Sequence, residues 1–182
     1  MIRLIGGPPR VGKSTLARML LERAGLPGCP TDALVSMLQH AAPERGVRHG
    51  AHPDKAASAL PFLVEFLAAV ADGLDASDPL DGYVVEGDIV TPEAVAAAVG
   101  RRIPVVPVFL GNTGLTADGL RFAPDWLDGA DDSVYEETAA WVSRRSRELR
   151  DKCAAGGHVF VDLRHGREQG LERAYSALVA RS

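Results

Sequence analysis

The chain contains little lysine, little cysteine and no long apolar run. Only three of its 20 basic residues are lysine, and one of them, Lys13, stands between Gly12 and Ser14. The two cysteines, Cys29 and Cys153, are far apart in sequence and form neither a disulfide framework nor a metal knuckle. This cysteine usage favours a reduced, cytoplasmic protein.

No segment approaches the roughly 18 apolar residues of a membrane span, and the N-terminal apolar run is too short for a signal peptide. The formal net charge of −4 does not favour broad attraction to nucleic acid or to an anionic membrane. The 182 residues, 46% of them hydrophobic, suit one domain with a core of its own, spanning 1–182. We therefore expect a single globular domain that binds neither nucleic acid nor membrane.

Short apolar runs typical of buried strands alternate along the whole chain with stretches of helical periodicity. Predicted strands cover 2–5, 28–30, 82–88, 103–111 and 158–163, and predicted helices cover 13–25, 33–40, 54–74, 91–100, 133–157 and 167–180. Pro61 predicts a kink or a restart in the third helix, and two prolines make the fourth strand awkward at a central position. The alternation predicts an α/β fold with a parallel sheet and helices on both faces.

The stretch GGPPRVGKST, residues 6–15, carries the most specific signal. Its residues 7, 12, 13 and 14 match the P-loop pattern G-x-x-x-x-G-K-[ST]. A turn from a buried strand into a helix directs backbone N–H groups and the positive helix end at a phosphate. Lys13 would reach the β- and γ-phosphate oxygens and Ser14 would bind Mg²⁺, while Thr15 either contacts the α-phosphate or merely opens the helix. The residues expected to bind the nucleotide here are Gly7, Arg10, Val11, Gly12, Lys13, Ser14 and Thr15.

Two other classes of P-loop protein fit this sequence less well. A switch GTPase reads guanine with Asn-Lys-x-Asp, and that motif is absent. The third predicted strand ends in Glu86 and Gly87 rather than in the acidic pair usual in motor ATPases, and the chain is short for a motor. Of the classes of P-loop protein compared, the small phosphotransferases therefore fit this sequence best.

The chain resembles the small P-loop kinases of the adenylate kinase and shikimate kinase type. The resemblance is carried by GGPPRVGKSTLARML, TDALVSML, VVEGDIVTPE, LRF at 120–122 and the long helix before FVDL. Within this group it is most similar to the branch of 2-phosphoglycerate-kinase-like and chloramphenicol-phosphotransferase-like proteins. The resemblance implies a three-layer P-loop NTPase fold, a five-stranded sheet in the order 2-3-1-4-5, and ATP and Mg²⁺ as cofactors. It also implies a segment at about 36–75 that closes over the acceptor and a lid at about 111–150.

Two carboxylates follow predicted strands at the edge where open α/β sheets bind ligands. Asp32 could orient or deprotonate an attacking hydroxyl, or bind Mg²⁺ through water, but it precedes a helix and could equally be an N-cap. Glu86 could organise the waters of Mg²⁺ or bind a substrate hydroxyl, and Gly87 would let a ligand approach the backbone. Asp88 is the weaker candidate, because it could also begin a turn.

Arginines are the candidates for charge neutralisation, because phosphoryl transfer spreads negative charge over the γ-phosphate oxygens. Arg145 falls inside the predicted apolar stripe of the longest helix, so it needs either a bound phosphate or a carboxylate partner. Arg121 is the second candidate for the lid, and Arg164 is a weak candidate near the adenine. Arg45 and Arg48 could bind an anionic acceptor or simply face solvent.

These assignments predict an ATP- and Mg²⁺-dependent kinase that phosphorylates a small molecule, by preference on a hydroxyl. The alternative is a regulatory binding module that hydrolyses ATP slowly. A toxin-like kinase acting on a sugar nucleotide would share the same chemistry. The acceptor, the preferred nucleoside triphosphate and the formation of a homodimer stay open.

Overall fold

Five parallel strands form one sheet in the order β2-β3-β1-β4-β5. The structure is a computed structural model that describes residues 1–50, 52, 54–75, 82–122 and 127–180. The strands are β1 (Ile2–Gly6), β2 (Gly28–Pro30), β3 (Tyr83–Gly87), β4 (Val105–Gly111) and β5 (Val159–Asp162). Their order and direction confirm the fold class expected from the sequence.

Helices connect the strands, and their ends follow the capping signals of the sequence. They are α1 (Lys13–Ala24), α2 (Thr31–Ala41), α3 (Lys55–Asp72), α4 (Pro92–Gly100), α5 (Ala117–Arg121), α6 (Asp132–Gly156) and α7 (Arg167–Val179). Thr91 caps α4 by accepting a hydrogen bond from the Ala94 N–H at 3.3 Å, and Gly25 closes α1 in the left-handed conformation. None of the helices within the described ranges combines the length and the apolar character needed to cross a membrane.

Neighbouring residues of β1 face opposite sides of the sheet and anchor two cores. Leu4 is fully buried in the cluster that includes Leu63 of α3. Ile5 is fully buried in the other cluster, with Leu20 of α1 and Leu171 of α7. Helices therefore cover both faces of the sheet, as the alternation of strands and helices predicts.

Two prolines lie inside regular elements. Pro61 is within α3, which runs from Lys55 to Asp72 as one helix, so the predicted restart is wrong. The apolar face of α3 is buried in the core, and this packing outweighs the one hydrogen bond that proline removes. Pro107 lies in β4, which is a central strand between β1 and β5 although a proline makes such a position awkward. The ladder between β4 and β5 begins only at Val108, so Pro107 precedes the part of β4 that has partners on both sides.

The carboxyl ends of the strands gather the candidate residues at one edge of the sheet. Gly6 at the end of β1 is level with Gly87 at the end of β3, and β2 ends at Pro30, immediately before α2. A smaller apolar cluster packs α5 against the start of α6, inside the predicted lid. Residues 51 and 53 of the predicted closing segment and residues 123–126 of the predicted lid lie outside the described residues.

Candidate active site

The P-loop turns from β1 into α1 through backbone conformations that glycine favours. Gly7 and Gly12 have φ angles of 147° and 86°, and Gly12 is the N-cap of α1. A side chain at Gly7 would collide with the carbonyl oxygen of Leu110 in β4. The first N–H groups of α1 have no acceptor within their own helix, so they are suited to bind a phosphate.

Lys13 is the first residue of α1 and reaches back over the loop. Its Nζ donates a hydrogen bond to the carbonyl oxygen of Pro8 at 3.0 Å. Burial lowers the pKa of Lys13, and the carboxylates of Glu86, Asp88 and Asp32 oppose this shift. The loop therefore holds one ammonium group, with acidic side chains around it.

Ser14 and Glu86 form the part of the site that suits a divalent cation. The Ser14 Oγ donates a hydrogen bond to the Glu86 Oε1 at 2.8 Å, and Glu86 is only 8% exposed at the end of β3. Because the hydroxyl hydrogen is directed to Glu86, the lone pairs of the Ser14 oxygen are left for a cation. These residues fit Mg²⁺ held by Ser14, with Glu86 orienting the hydroxyl from behind.

A cavity of about 630 Å³ adjoins the P-loop, and we call it the loop cavity. It is lined by the consecutive residues 9–15 and by the acidic residues at positions 32, 86 and 88. Its apolar side includes Leu115, Leu120 and Leu163, which follow β4 and β5. The loop cavity thus joins a phosphate-binding turn to an apolar wall, as a nucleotide requires.

Arg167, the first residue of α7, extends onto the P-loop from the far end of the chain. Its Nη2 donates a hydrogen bond to the Thr15 Oγ1 at 3.1 Å, and its guanidinium lies beside Gly12. Sequence reasoning missed Arg167, because the start of the last helix carries no motif. Its one usable signal is its position shortly after the last strand of a parallel sheet, at the edge that binds ligands.

Asp32 lies within the first turn of α2 and lines the loop cavity. The N-cap of α2 is Pro30, so the interpretation of Asp32 as a helix cap is wrong. Its side chain is 71% exposed, and its Oδ1 is 4.0 Å from the His49 Nδ1. The carboxylate is therefore open to the cavity.

A second cavity, of about 320 Å³, shares Pro9 and Asp88 with the loop cavity, and we call it the side cavity. It lies between the beginning of α3, the turn after β3 and the middle of α6. Trp141 and Leu149 give it an apolar wall. Two cavities that meet beside a P-loop provide separate places for a nucleotide and for a second molecule.

The ion pair of Lys55 and Asp88 lies on the side cavity. The Lys55 Nζ donates a hydrogen bond to the Asp88 Oδ2 at 2.8 Å, and the Lys55 side chain is 7% exposed. The Asp88 Oδ1 is buried and has no hydrogen-bond partner in the part of the chain that the structure describes. Sequence reasoning ranked Asp88 low and missed Lys55. A rare lysine at a helix N-terminus, where the helix dipole disfavours a cation, was the available signal.

Arg145 is exposed, so the prediction that it lies in the buried stripe of α6 is wrong. The buried face of α6 includes Val142 and Cys153, as predicted, but at the turn between them the buried residue is Ser146 and not its neighbour Arg145. The Arg145 Nη1 donates a hydrogen bond to the Glu148 Oε2 at 2.7 Å, and both residues line the side cavity. Arg145 thus lies at the exposed edge of the side cavity, where Glu148 is already its carboxylate partner.

The structure brings neither Arg121 nor Arg164 to the lining of a described cavity. Arg121 donates hydrogen bonds to Asp118 at 2.7 Å and to Asp132 at 2.6 Å. Arg164 donates from its Nε to the His165 Nε2 at 3.1 Å. In this arrangement both guanidinium groups have partners of their own close to the site.

Arg45 and Arg48 are exposed and also lie outside the lining of both described cavities. The Arg45 guanidinium lies over the Phe62 ring, 5.9 Å from its centre, and 3.8 Å from Glu44. A contact of these two arginines with an anionic acceptor therefore stays a prediction.

Comparisons with known proteins agree with this geometry. An adenylate kinase from Rhizobium meliloti (strain 1021) is 30% identical over 156 residues, which cover 86% of this chain and 70% of that protein. An adenylate kinase from Sinorhizobium medicae (strain WSM419) is 35% identical over 156 residues, with the same coverage. A crystal structure of a gluconokinase from Sinorhizobium meliloti 1021 shares the fold at 18% identity, with a TM-score of 0.59 over 97% of this chain and 90% of its own. No protein-family model matches the chain.

Proposed function

The chain belongs to the adenylate kinase family of small P-loop kinases, and we propose that it transfers the γ-phosphate of ATP from the loop cavity to an acceptor in the side cavity. It is a small-molecule kinase that uses ATP and Mg²⁺. We assign one cavity to the nucleotide and the other to the acceptor because the two cavities meet: Pro9 and Asp88 line both. An acceptor in the side cavity would meet the terminal phosphate of a nucleotide in the loop cavity at this junction.

On the nucleotide side, the backbone of residues 7–15 would bind the phosphates and Lys13 would neutralise the β/γ region. Ser14 would hold Mg²⁺, which when bound neutralises phosphate charge, and Glu86 would orient the Ser14 hydroxyl. Asp32 lines the loop cavity only, which supports a role toward the waters of Mg²⁺. Its use as a base toward the acceptor stays a prediction, as does a contact between Arg164 and the adenine.

On the acceptor side, Arg145 lines the side cavity and is the lid arginine that the geometry supports best. It could exchange its carboxylate partner for a phosphoryl oxygen, since the pair with Glu148 is about half exposed and weak. Transfer assisted by Arg121 stays a prediction that requires Arg121 to leave Asp118 and Asp132. An anionic acceptor held by Arg45 and Arg48, and a homodimer, also stay predictions.

The test is a screen for ADP formation from ATP and Mg²⁺ with a panel of candidate acceptors, run on the wild type and on Lys13→Ala. We expect at least one acceptor to raise turnover of the wild type strongly, and Lys13→Ala to lose about 10²–10³-fold of it. Arg23→Ala is the matched control, because Arg23 pairs with Glu172 on the surface and lines neither described cavity.

Two results would count against this function. If no acceptor raised ADP formation above the rate of Lys13→Ala, a binding module with slow hydrolysis would be the better description. If Lys13→Ala turned over as fast as the wild type, the P-loop would not be the site of transfer.

A further inference from the structure

We infer that Arg167 is a nucleotide-binding residue that acts at the α-phosphate, where it also positions the hydroxyl of Thr15. The inference rests on the proposed function, because it takes the loop cavity as the nucleotide site. It also deepens that function. Since ATP and ADP share the α-phosphate, Arg167 would bind the substrate and the product equally, whereas Lys13 at the β/γ region would distinguish them.

The sheet places the metal-binding side of the P-loop and Arg167 on opposite sides of β1. In the strand order β2-β3-β1-β4-β5, Glu86 belongs to β3 and accepts a hydrogen bond from Ser14 at 2.8 Å. Arg167 comes shortly after β5, on the other side of β1, and donates to Thr15 at 3.1 Å. Ser14 and Thr15 can point to different sides because successive positions differ by about 100° around a helix.

These two sides indicate the direction in which a nucleotide lies in the loop cavity. Ser14, as the Mg²⁺ residue, and the ammonium group of Lys13 mark the β/γ end of the phosphate chain. The apolar residues Leu115 and Leu163, which follow β4 and β5, mark the end for the base and the ribose. Arg167 also lines the cavity and lies against the P-loop, between these two ends. The α-phosphate is the anionic group expected at that place.

The surroundings of Arg167 suit an anionic ligand. Arg167 is exposed, and within the described residues it forms no ion pair with a carboxylate, whereas Arg145 pairs with Glu148. Its Nη2 lies 3.3 Å from the position that a Cβ at Gly12 would take, and Gly12 is the N-cap of α1. The positive end of a helix repels a cation and attracts an anion. A phosphate between the two would therefore stabilise both.

The hydrogen bond between Arg167 and Thr15 orients the Thr15 hydroxyl. The Arg167 Nη2 donates to the Thr15 Oγ1, so the hydroxyl oxygen acts as an acceptor in this contact. The hydroxyl still has a hydrogen to donate, for which a phosphate oxygen in the loop cavity is a suitable acceptor. The guanidinium has further N–H groups in the same plane, so Arg167 can contact the same phosphate directly. This favours an α-phosphate contact of Thr15 over a role limited to the start of the helix.

The first experiment measures nucleotide binding by calorimetry in the presence of Mg²⁺, with AMP-PNP as the analogue of ATP that cannot transfer its phosphate. Arg167→Ala should raise the dissociation constants of AMP-PNP and of ADP by the same factor, about tenfold, and Arg167→Lys should raise both by less. The kcat of ADP formation should change by less than about twofold, because the lost contact is equal in the ground state and the transition state. Arg173→Ala is the matched control, since Arg173 is exposed on the same helix and lines neither described cavity.

The second experiment reads the α-phosphate directly with ADPαS, in which sulfur replaces one non-bridging oxygen of that phosphate. The wild type should bind at least one diastereomer of ADPαS about fivefold more weakly than ADP, and Arg167→Ala should bind the same diastereomer within about twofold of ADP. Thr15→Val should also weaken ADP binding. In the double variant with Arg167→Ala the two losses should not add, because Arg167 acts partly through the Thr15 hydroxyl.

Three results would overturn the inference and leave the kinase function standing. They are an unchanged affinity of Arg167→Ala, a loss that is larger for AMP-PNP than for ADP, and a discrimination against ADPαS that is absent from the wild type or persists in Arg167→Ala. A wild type that bound AMP-PNP and ADP no more tightly than Lys13→Ala would instead overturn the function and the inference together.

Discussion

The loop cavity and the side cavity meet at the same two residues but are built in different ways. Seven consecutive residues, 9–15, line the loop cavity, and their backbone supplies much of its chemistry. The side cavity is lined by residues from four stretches, within 7–9, 50–56, 88–93 and 141–152, and its chemistry lies in side chains. A backbone site requires a particular local sequence, whereas a side-chain site can change its ligand without changing the fold.

Of the differences expected between the two cavities, the largest concerns the metal at the loop cavity. Glu86→Gln should lower ATP turnover by about 10- to 100-fold and raise the Mg²⁺ concentration needed for half-maximal rate, because Ser14 loses the carboxylate that orients its hydroxyl. A Mg²⁺ titration of ADP formation measures this, with Glu172→Gln as the surface control. An unchanged Mg²⁺ requirement would remove Glu86 from the metal site.

A crossed pair of variants tests whether the two cavities are separate. Arg167→Ala should raise the KM for ATP about tenfold, because the loop cavity loses a cation beside Thr15. Trp141→Ala should instead raise the KM of the acceptor found in the screen, with the KM for ATP within about twofold. If both variants altered the same KM, the division into a nucleotide cavity and an acceptor cavity would be lost.

A smaller effect, on stability, is expected at Gly87, which ends β3 beside the shared residue Asp88. Gly87→Ala should lower the free energy of unfolding by about 1–3 kcal/mol, because the added methyl group would overlap the buried Thr31 side chain. Gly100→Ala is the matched control, since nothing lies within 4 Å of the added carbon at the end of α4. Urea unfolding of the two variants gives the comparison, and equal stability of both would contradict the close packing at Gly87.

The smallest effect is expected at Asp162, which ties the loop after β4 to the end of β5. Burial alone would raise the pKa of Asp162, but hydrogen bonds from the Thr113 side chain and N–H and from the Arg164 N–H lower it below its usual value. A lowered pKa means stability that is present above the unfolded-state value of about 3.9 and lost as pH falls through the folded-state value.

Asp162→Asn should therefore cost about 1 kcal/mol at pH 7 and less below about pH 4. Thermal unfolding of both proteins between pH 3 and pH 7 measures this. A constant difference across that range would mean that the carboxylate charge at Asp162 does not contribute.

The sequence by itself determined the strands, helix ends and turns that depend only on residues close together in the chain. Four of the five strands are short apolar runs, and β2 (Gly28–Pro30) is the exception. Helix α1 ends at Gly25 and α4 begins after Thr91, where the backbone needs a glycine or a side-chain cap. The P-loop was readable because its glycines, lysine and serine must stand at fixed spacing to bind a phosphate. Periodicity failed for Arg145, because neighbouring positions differ by about 100° around the helix and the buried position in this turn of α6 is Ser146.

Only the tertiary structure decided which distant residues share the site. Lys55 meets Asp88 across 33 positions of sequence, and Arg167 meets Thr15 across 152. It also decided that Pro30, and not Asp32, occupies the N-cap position of α2, and that the Asp32 carboxylate is open to the loop cavity. Contacts of this kind depend on how helices pack on the sheet, and no local pattern of residue types encodes a distance between two helices.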